Sequence, residues 1–123
     1  MLCVSLAVVL FAFASIAKRV PPLPVAPVIA NGIEYSADGD GRNAYVVATD
    51  VASGRELWKA KVFHTRIKFW IEEDVQWVFI TNLKLAGEAL LVRDEKARCY
   101  SIQIKTKHVR RVVCGDAFLA AQP

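Results

Sequence analysis

The sequence has few of the residue types that support catalysis or metal binding. Its 123 residues include only two histidines, His64 and His108, and neither has a neighbour at the spacing of a metal ligand. We expect both to be exposed residues at strand ends. The sequence has no nucleophile elbow, no phosphate-binding glycine loop and no zinc pattern. It therefore predicts no catalytic residue, no metal site and no cofactor.

Two acidic segments are the best candidates that the sequence offers for a metal or catalytic site. Residues 38–41 read Asp-Gly-Asp-Gly, which resembles part of a calcium loop in composition but lacks the later ligands and the closing Glu of an EF-hand. We predict a surface turn there, with a weak calcium site as the alternative. Residues 72–74 read Glu-Glu-Asp, and three adjacent acids at a turn are usually solvated.

Charge is absent from the first 17 residues, and all 16 Lys and Arg and all 12 Asp and Glu follow them. This apolar run ends in Ser15-Ile16-Ala17, a small-residue cleavage pattern. It predicts an N-terminal apolar helix that is a signal peptide over residues 1–17, and hence export to the periplasm or the medium. An uncleaved membrane anchor is the first alternative, although 17 residues reach only about 25 Å as a helix. A buried helix is the second.

Cysteine is scarce, with three in the chain. Removal of residues 1–17 leaves Cys99 and Cys114, an even pair in a compartment where disulfides persist. A hairpin about residues 106–107 would place them directly opposite each other, so the sequence predicts a disulfide, with two unpaired thiols as the alternative. The same register predicts the pairs Lys105:His108, Tyr100:Val113 and Ile104:Val109.

A sustained helical period is also absent after residue 17. The four prolines within residues 18–27 predict an extended linker, residues 28–114 an all-β domain, and residues 115–123 a flexible tail. The predicted strands are 28–35, 44–50, 55–63, 66–70, 75–84, 89–94, 98–105 and 108–113. We expect 75–84 to be a central strand covered on both faces, with Trp77 and Trp58 in the core.

Residues 48–59 read A-T-D-V-A-S-G-R-E-L-W-K. Ala48, Asp50, Gly54 and Trp58 match a repeat of the form A-x-D-x-x-T-G-x-x-x-W, with Ser53 at the Thr position. The segment resembles the repeat of quinoprotein-type (PQQ-like) β-propellers. The resemblance implies one propeller blade, a structural unit rather than an activity.

A fainter second copy covers residues 90–112, with Gln103 near the Asp position, Lys107 in place of Gly and no following Trp. Two blades do not close a propeller of about four to eight blades, so pyrroloquinoline quinone is not implied. We expect two antiparallel β-meander repeats packed as a small sandwich or open barrel. Assembly with further copies in an oligomer, and docking of two relict blades on a larger partner, are the alternatives.

The basic residues are dispersed along the strands, which indicates solvated faces or loose attraction to anionic envelope components. An aromatic-plus-basic motif for nucleic acid is missing. Trp70, beside Phe69 and Lys68, is the best candidate for a partner contact. We therefore expect an exported, non-enzymatic binding or structural protein of the envelope, whose partner is a protein or an anionic envelope component. A membrane-anchored accessory domain, or a subunit of a larger secreted enzyme or propeller complex, is the alternative.

Overall fold

The computed structural model describes residues 22–115, which form an all-β structure. The strands are β1 Val28–Ala30, β2 Ile33–Gly39, β3 Asn43–Asp50, β4 Glu56–His64, β5 Ile80–Ala86, β6 Ala89–Asp94, β7 Cys99–Gln103 and β8 Val109–Val112. The predicted signal segment, residues 1–17, lies outside the described residues, as do residues 116–123 of the predicted tail. Within residues 22–115 no helix is long and apolar enough to cross a membrane.

Each sheet is a meander in which every strand pairs with its neighbour along the chain. The first sheet has the order β1-β2-β3-β4 and the second the order β5-β6-β7-β8, and all pairs are antiparallel. Because side chains alternate across a strand, each strand offers one face to the interior. In β3 the buried residues are Ala44, Val46 and Ala48, and in β6 they are Leu90, Val92 and Asp94.

One hydrophobic core lies between the two sheets. The first sheet contributes Tyr35, Ala44, Val46, Ala48 and Val62, and the second contributes Ile80, Leu90, Val92, Tyr100 and Ile102. At one end, the rings of Phe63 on β4 and Tyr100 on β7 stack with centroids 5.2 Å apart. This ring pair joins the sheets directly, so neither inner face is left to water there.

The part of the predicted linker that is described, residues 22–27, has no regular secondary structure. Val25 nevertheless packs against the core. Residues 22–25 also line one wall of a cleft whose other walls include Gly39 and Phe79. The linker therefore lies along the domain surface at its C-terminal end.

The predicted first strand, residues 28–35, is wrong because it crosses a turn. Asn31 and Gly32 have φ values of 52° and 74°, and they connect β1 to β2 as a two-residue hairpin. An Asn-Gly pair suits this turn because both residues tolerate positive φ. Strand β2 then extends to Gly39, into the segment between the predicted strands 28–35 and 44–50 and into the predicted surface turn 38–41.

The predicted strands 66–70 and 75–84 are also corrected. Residues 65–79 form an irregular connector between the sheets, which contains one turn of 3-10 helix, Asp74–Gln76. Only Ile80 onward is a strand. Trp77 is half-buried in this connector rather than on a central strand, whereas Trp58 on β4 packs against the core and lies 5.9 Å from the Tyr35 ring.

The last hairpin differs from its predicted register by two residues. Cys99 is opposite Val112 rather than Cys114, and Ile102 is opposite Val109. The shift arises because Gln103 faces His108 across residues 104–107, so the hairpin is centred between residues 105 and 106 rather than between 106 and 107. Since the shift is even, the side-chain faces are unchanged, and Cys99 and Cys114 are joined by a disulfide with Cα atoms 5.2 Å apart.

Candidate functional site: an exposed aromatic loop

The connector 65–79 is attached to the β2–β3 turn, residues 40–42, near both of its ends. The Thr65 N–H donates to the Arg42 carbonyl at 2.6 Å, and the Val78 N–H donates to the Gly41 carbonyl at 3.1 Å. Gly41 is buried beneath the Trp77 side chain, where a Cβ would overlap the indole ring. Because only glycine permits this approach, the turn sequence determines where the connector sits.

A salt bridge adds a third attachment, between the Arg42 guanidinium and the Glu73 carboxylate. The hydrogen bond from Arg42 is the main cause that lowers the pKa of Glu73, and the same bond raises the pKa of Arg42. Both side chains are partly exposed. The pair therefore orients the connector more than it stabilises the fold.

The loop within the connector is held by the Gln76 side chain. Its carboxamide oxygen accepts from the Lys68 N–H at 2.7 Å, and its nitrogen lies 2.9 Å from the Lys68 carbonyl and 3.0 Å from the Ile71 carbonyl. A longer contact of 3.2 Å reaches the Glu72 carbonyl. One side chain thus satisfies several backbone groups of a loop that has no sheet partner, which orders residues 68–72.

The ordered loop presents its aromatic residues to solvent. Phe69 is 92% exposed and Trp70 is 67% exposed, and their rings meet edge to face at 5.0 Å. Lys68 places its ammonium 5.9 Å from the Trp70 ring centroid. Ile71 and Val75 are exposed beside them. We call residues 66–71 the aromatic loop; it brings together Lys68, Phe69 and Trp70, the three residues that the sequence singled out.

The two acidic segments have structural partners. Asp40 accepts from the N–H groups of Arg42 and Asn43 at 2.9 and 2.8 Å, and these bonds, that of Asn43 first, lower its pKa. Asp38 accepts from Gly39 N–H and from Lys59 Nζ. Within residues 22–115 no group of three or more His, Cys, Asp and Glu residues has an arrangement that could hold a metal ion.

The two histidines are exposed and lie near strand ends. His64 ends β4, and its Nδ1 lies 2.8 Å from the Asn43 side-chain oxygen. His108 immediately precedes β8. His108 also lines a polar depression on the outer face of the second sheet.

The residues of the propeller-like repeat form one turn and its flanking strands. Asp50 accepts from the Ser53 hydroxyl at 2.6 Å, and Gly54 has φ of 71° while its N–H donates to the Asp50 carbonyl. Ala48 is fully buried opposite Trp58. These residues therefore position the β3–β4 hairpin, and none of them lines the aromatic loop.

The β7–β8 turn repeats this backbone pattern. The Gln103 N–H donates to the His108 carbonyl, just as the Asp50 N–H donates to the Arg55 carbonyl. The Lys107 N–H donates to the Gln103 carbonyl, which matches the bond from Gly54 to Asp50. Lys107 has φ of 60°, close to the value of Gly54. The Thr106 hydroxyl accepts from the His108 N–H at 3.3 Å, the same distance as from Arg55 N–H to Ser53. The two sheets thus share a turn type as well as a strand order.

Asp94 was not singled out from the sequence, although it is the one charged residue in the buried core of residues 22–115. Its carboxylate accepts from the backbone of Lys96 and Arg98, from Arg98 Nε at 2.7 Å and from the Tyr100 hydroxyl at 3.1 Å. A pattern in the sequence does point to it: Asp94 continues the alternation of the buried residues Leu90 and Val92, and an arginine follows four residues later. Gln76 has no comparable signal, because most of its partners are backbone carbonyls.

A largely apolar cleft of about 340 Å³ opens at one end of the core. Tyr35, Leu85 and Ile104 line it, with Glu88 and Lys105 at its polar side. It lies between the hairpin ends of the two sheets, so it is an extension of the core to the surface.

Comparison with known proteins adds no family: no family model matches the chain, and a search of curated proteins finds no match.

Proposed function

We propose that this chain is an exported binding module of the cell envelope, which presents the aromatic loop to a protein partner. The observation that carries the proposal is that Phe69 and Trp70 are largely exposed on a loop whose backbone is held by hydrogen bonds to the Gln76 side chain. Exposed aromatic residues on an ordered scaffold bind with a small entropic cost, because the loop does not have to be ordered on association. Trp is also among the residue types that dominate binding energy at interfaces.

The charges around the loop favour a protein over an anionic lipid surface. Arg66 and Lys68 precede the aromatic pair, but Glu72 and Asp74 follow it. A membrane-binding loop would gain from basic residues alone, whereas acids near a negative surface repel it. Mixed charge around an apolar centre matches the polar rim of a protein interface.

The scaffold in this proposal is a pair of quinoprotein-type blades packed as a small sandwich. The support is the meander order of both sheets together with the turn that recurs at residues 50–55 and 103–108. A subunit of a larger propeller complex remains the alternative, in which the aromatic loop contacts that complex. Export is supported by the uncharged apolar run in residues 1–17. Intact-mass measurement of the mature protein tests export with cleavage near Ala17, and a mature chain that begins at Met1 contradicts that cleavage.

The partner is tested by affinity capture from envelope extract, with quantitative mass spectrometry of the bound proteins. The variant carries Phe69→Ser and Trp70→Ser, and the matched control is Val113→Ser, which alters an equally exposed apolar residue. Loss of a hot-spot aromatic costs about 2 kcal/mol or more, so recovery of the partner should fall roughly 30-fold. Equal recovery with both variants contradicts the proposal. Binding to phospholipid vesicles that is lost in the double variant would assign the loop to a membrane instead.

A further inference from the structure

The outer face of the second sheet carries a polar depression of about 320 Å³ that lies apart from the aromatic loop. Its lining residues are Ala89, Ser101, Gln103, His108 and Arg110. Ser101 on β7 faces Arg110 on β8, and the Gln103 N–H donates to the His108 carbonyl at 2.9 Å. Ala89 is the β6 partner of Gln103, and its small side chain leaves room between the larger ones.

The four polar side chains of the depression can all donate hydrogen bonds: a hydroxyl, a carboxamide, an imidazole and a guanidinium. None of them forms a side-chain hydrogen bond or ion pair with another residue in 22–115. They lie side by side because residues two apart on a strand share a face, and the register sets the two strands against each other. The sheet therefore presents to solvent a group of side-chain hydrogen-bond donors that have no side-chain partner among residues 22–115.

The surroundings of the depression are positively charged. From Lys96 to Gly115 the sequence has no Asp or Glu. Of the basic residues in this segment, Arg110 lines the depression, and Lys105 and Lys107 lie in the β7–β8 turn beside His108. No carboxylate lines the depression among the described residues, and Glu88, which immediately precedes Ala89, lines the apolar cleft instead. An anion that enters therefore meets attraction without a competing carboxylate.

We propose that this depression binds a phosphate or sulfate group. Such a group has only acceptor oxygens directed to several sides, which matches donors that approach from two strands. A carboxylate holds its two oxygens in one plane, whereas the oxygens of a phosphate or sulfate group point to the corners of a tetrahedron and can meet donors from both strands. The Arg110 guanidinium supplies a planar pair of N–H donors for two oxygens of the anion. The ligand is thus either a phosphate or sulfate group on a soluble molecule or the phosphate of a lipid headgroup.

This inference does not rest on the proposed protein partner. The aromatic loop packs toward Lys96, beside the β6–β7 turn, whereas the depression lies by Ala89 and His108, at the opposite ends of these strands. A chain that lacks either function would retain the other. The two experiments therefore fail separately.

The first test is an NMR titration of the protein with inorganic phosphate, with sodium chloride at equal ionic strength as the reference. We expect saturable shifts of the amide or side-chain signals of Ser101, Gln103, His108 and Arg110. Shifts that are spread over all basic residues, or that the chloride reference reproduces, show diffuse screening and overturn the proposal.

The second test compares Arg110→Gln with Arg111→Gln. Both remove one positive charge from exposed neighbours on β8, but Arg111 is opposite the inward-facing Tyr100 and does not line the depression. Loss of a charge-assisted hydrogen bond should weaken phosphate binding about tenfold or more in Arg110→Gln, with a change of roughly twofold or less in Arg111→Gln. Equal weakening by the two variants overturns a built site. Ser101→Ala, which leaves the net charge unchanged, should also weaken binding.

Vesicle binding distinguishes the two sources of the anion. Phosphatidylglycerol vesicles bound by the unaltered chain and lost in Arg110→Gln, with phosphatidylcholine vesicles as the reference, identify a lipid headgroup. Binding of inorganic phosphate without vesicle binding identifies a group on a soluble molecule. Absence of both kinds of binding overturns the proposal.

Discussion

The hydroxyl of Tyr100 donates a hydrogen bond to the buried carboxylate of Asp94, 3.1 Å away, and Arg98 donates to the same carboxylate oxygen. This arrangement fixes the β6–β7 turn beneath the ring pair that joins the two sheets, because Tyr100 also stacks on Phe63. The Arg98 guanidinium lies 5.8 Å from the Phe63 ring, so one buried acid organises both sides of the contact.

Asp94→Ala should lower the free energy of unfolding by about 3 kcal/mol, because it leaves the Arg98 guanidinium and the Tyr100 hydroxyl without their partner in a largely buried position. Urea unfolding at neutral pH measures the change. Asp40→Ala is the control, since that exposed carboxylate serves only a surface turn. A loss no larger than that of the control contradicts the role assigned to Asp94.

Alkaline pH should destabilise the protein through Tyr100. Burial, followed by the nearby Asp94 carboxylate, raises the pKa of Tyr100 above its ordinary value of about 10. The folded state therefore holds this proton more tightly than the unfolded state. The contribution of this proton to the free energy of unfolding is fully present below pH 10, and it is lost as the pH rises through the pKa of Tyr100 in the folded state.

Tyr100→Phe provides the measurement. At neutral pH it should cost about 1.5 kcal/mol through the lost hydrogen bond to a charged group. Above pH 10 the difference between the two proteins in urea midpoint should shrink, because the unaltered protein alone loses the contribution of the phenol proton. A difference that is constant from pH 7 to 11 contradicts the assignment.

The disulfide should contribute about 3 kcal/mol, the value for a loop of roughly 15 residues in the chain-entropy account. Cys114→Ser should show this loss relative to the oxidised protein. Treatment of both proteins with reductant should remove most of the difference between them. If the unaltered protein is equally stable with and without reductant, the two thiols are not paired in solution.

The two repeated turns allow a reciprocal test. Gly54→Ala should cost about 1 kcal/mol, because a residue with a Cβ is strained at φ of 71° even though open space surrounds the position. Lys107→Gly, at the matching position of the second turn, should leave stability unchanged or raise it by up to about 1 kcal/mol. Thermal unfolding measures both. A loss on Lys107→Gly would mean that the two turns are not equivalent.

Much of the fold follows from local patterns in the sequence. Alternation in residues 44–50 and 89–94, and the apolar positions of residues 55–63, lead to β3, β4 and β6 within a residue or two, whereas the predicted strand 75–84 begins five residues before β5. The predicted Cys99–Cys114 disulfide was confirmed, but the predicted register of the hairpin was wrong. A shift of two residues keeps both side chains on the same face of the sheet and close enough to form the bond. The Asn31-Gly32 turn carried a clear signal that the apolar run on either side obscured.

The conformation of the connector could not be predicted from the sequence, for a physical reason. Residues 75–79 are β-prone and apolar, and nothing local distinguishes them from a strand. Their conformation depends on a distant glycine: Trp77 covers Gly41, and the Val78 N–H donates to the Gly41 carbonyl. The sequence singled out Trp70, beside Phe69 and Lys68, as a candidate contact residue. The Gln76 side chain that orders this loop bonds only backbone groups, which leave no pattern in the sequence.

The meander order has a consequence for synthesis. No strand is shared between the sheets, so every strand pair of the first sheet is closed within residues 28–64. During translation this sheet can form before Ile80 and the strands after it have been made. Its apolar inner face, with Tyr35, Val46 and Val62, then remains uncovered until the second half of the chain arrives. The nascent half-protein is therefore the species most in need of a chaperone.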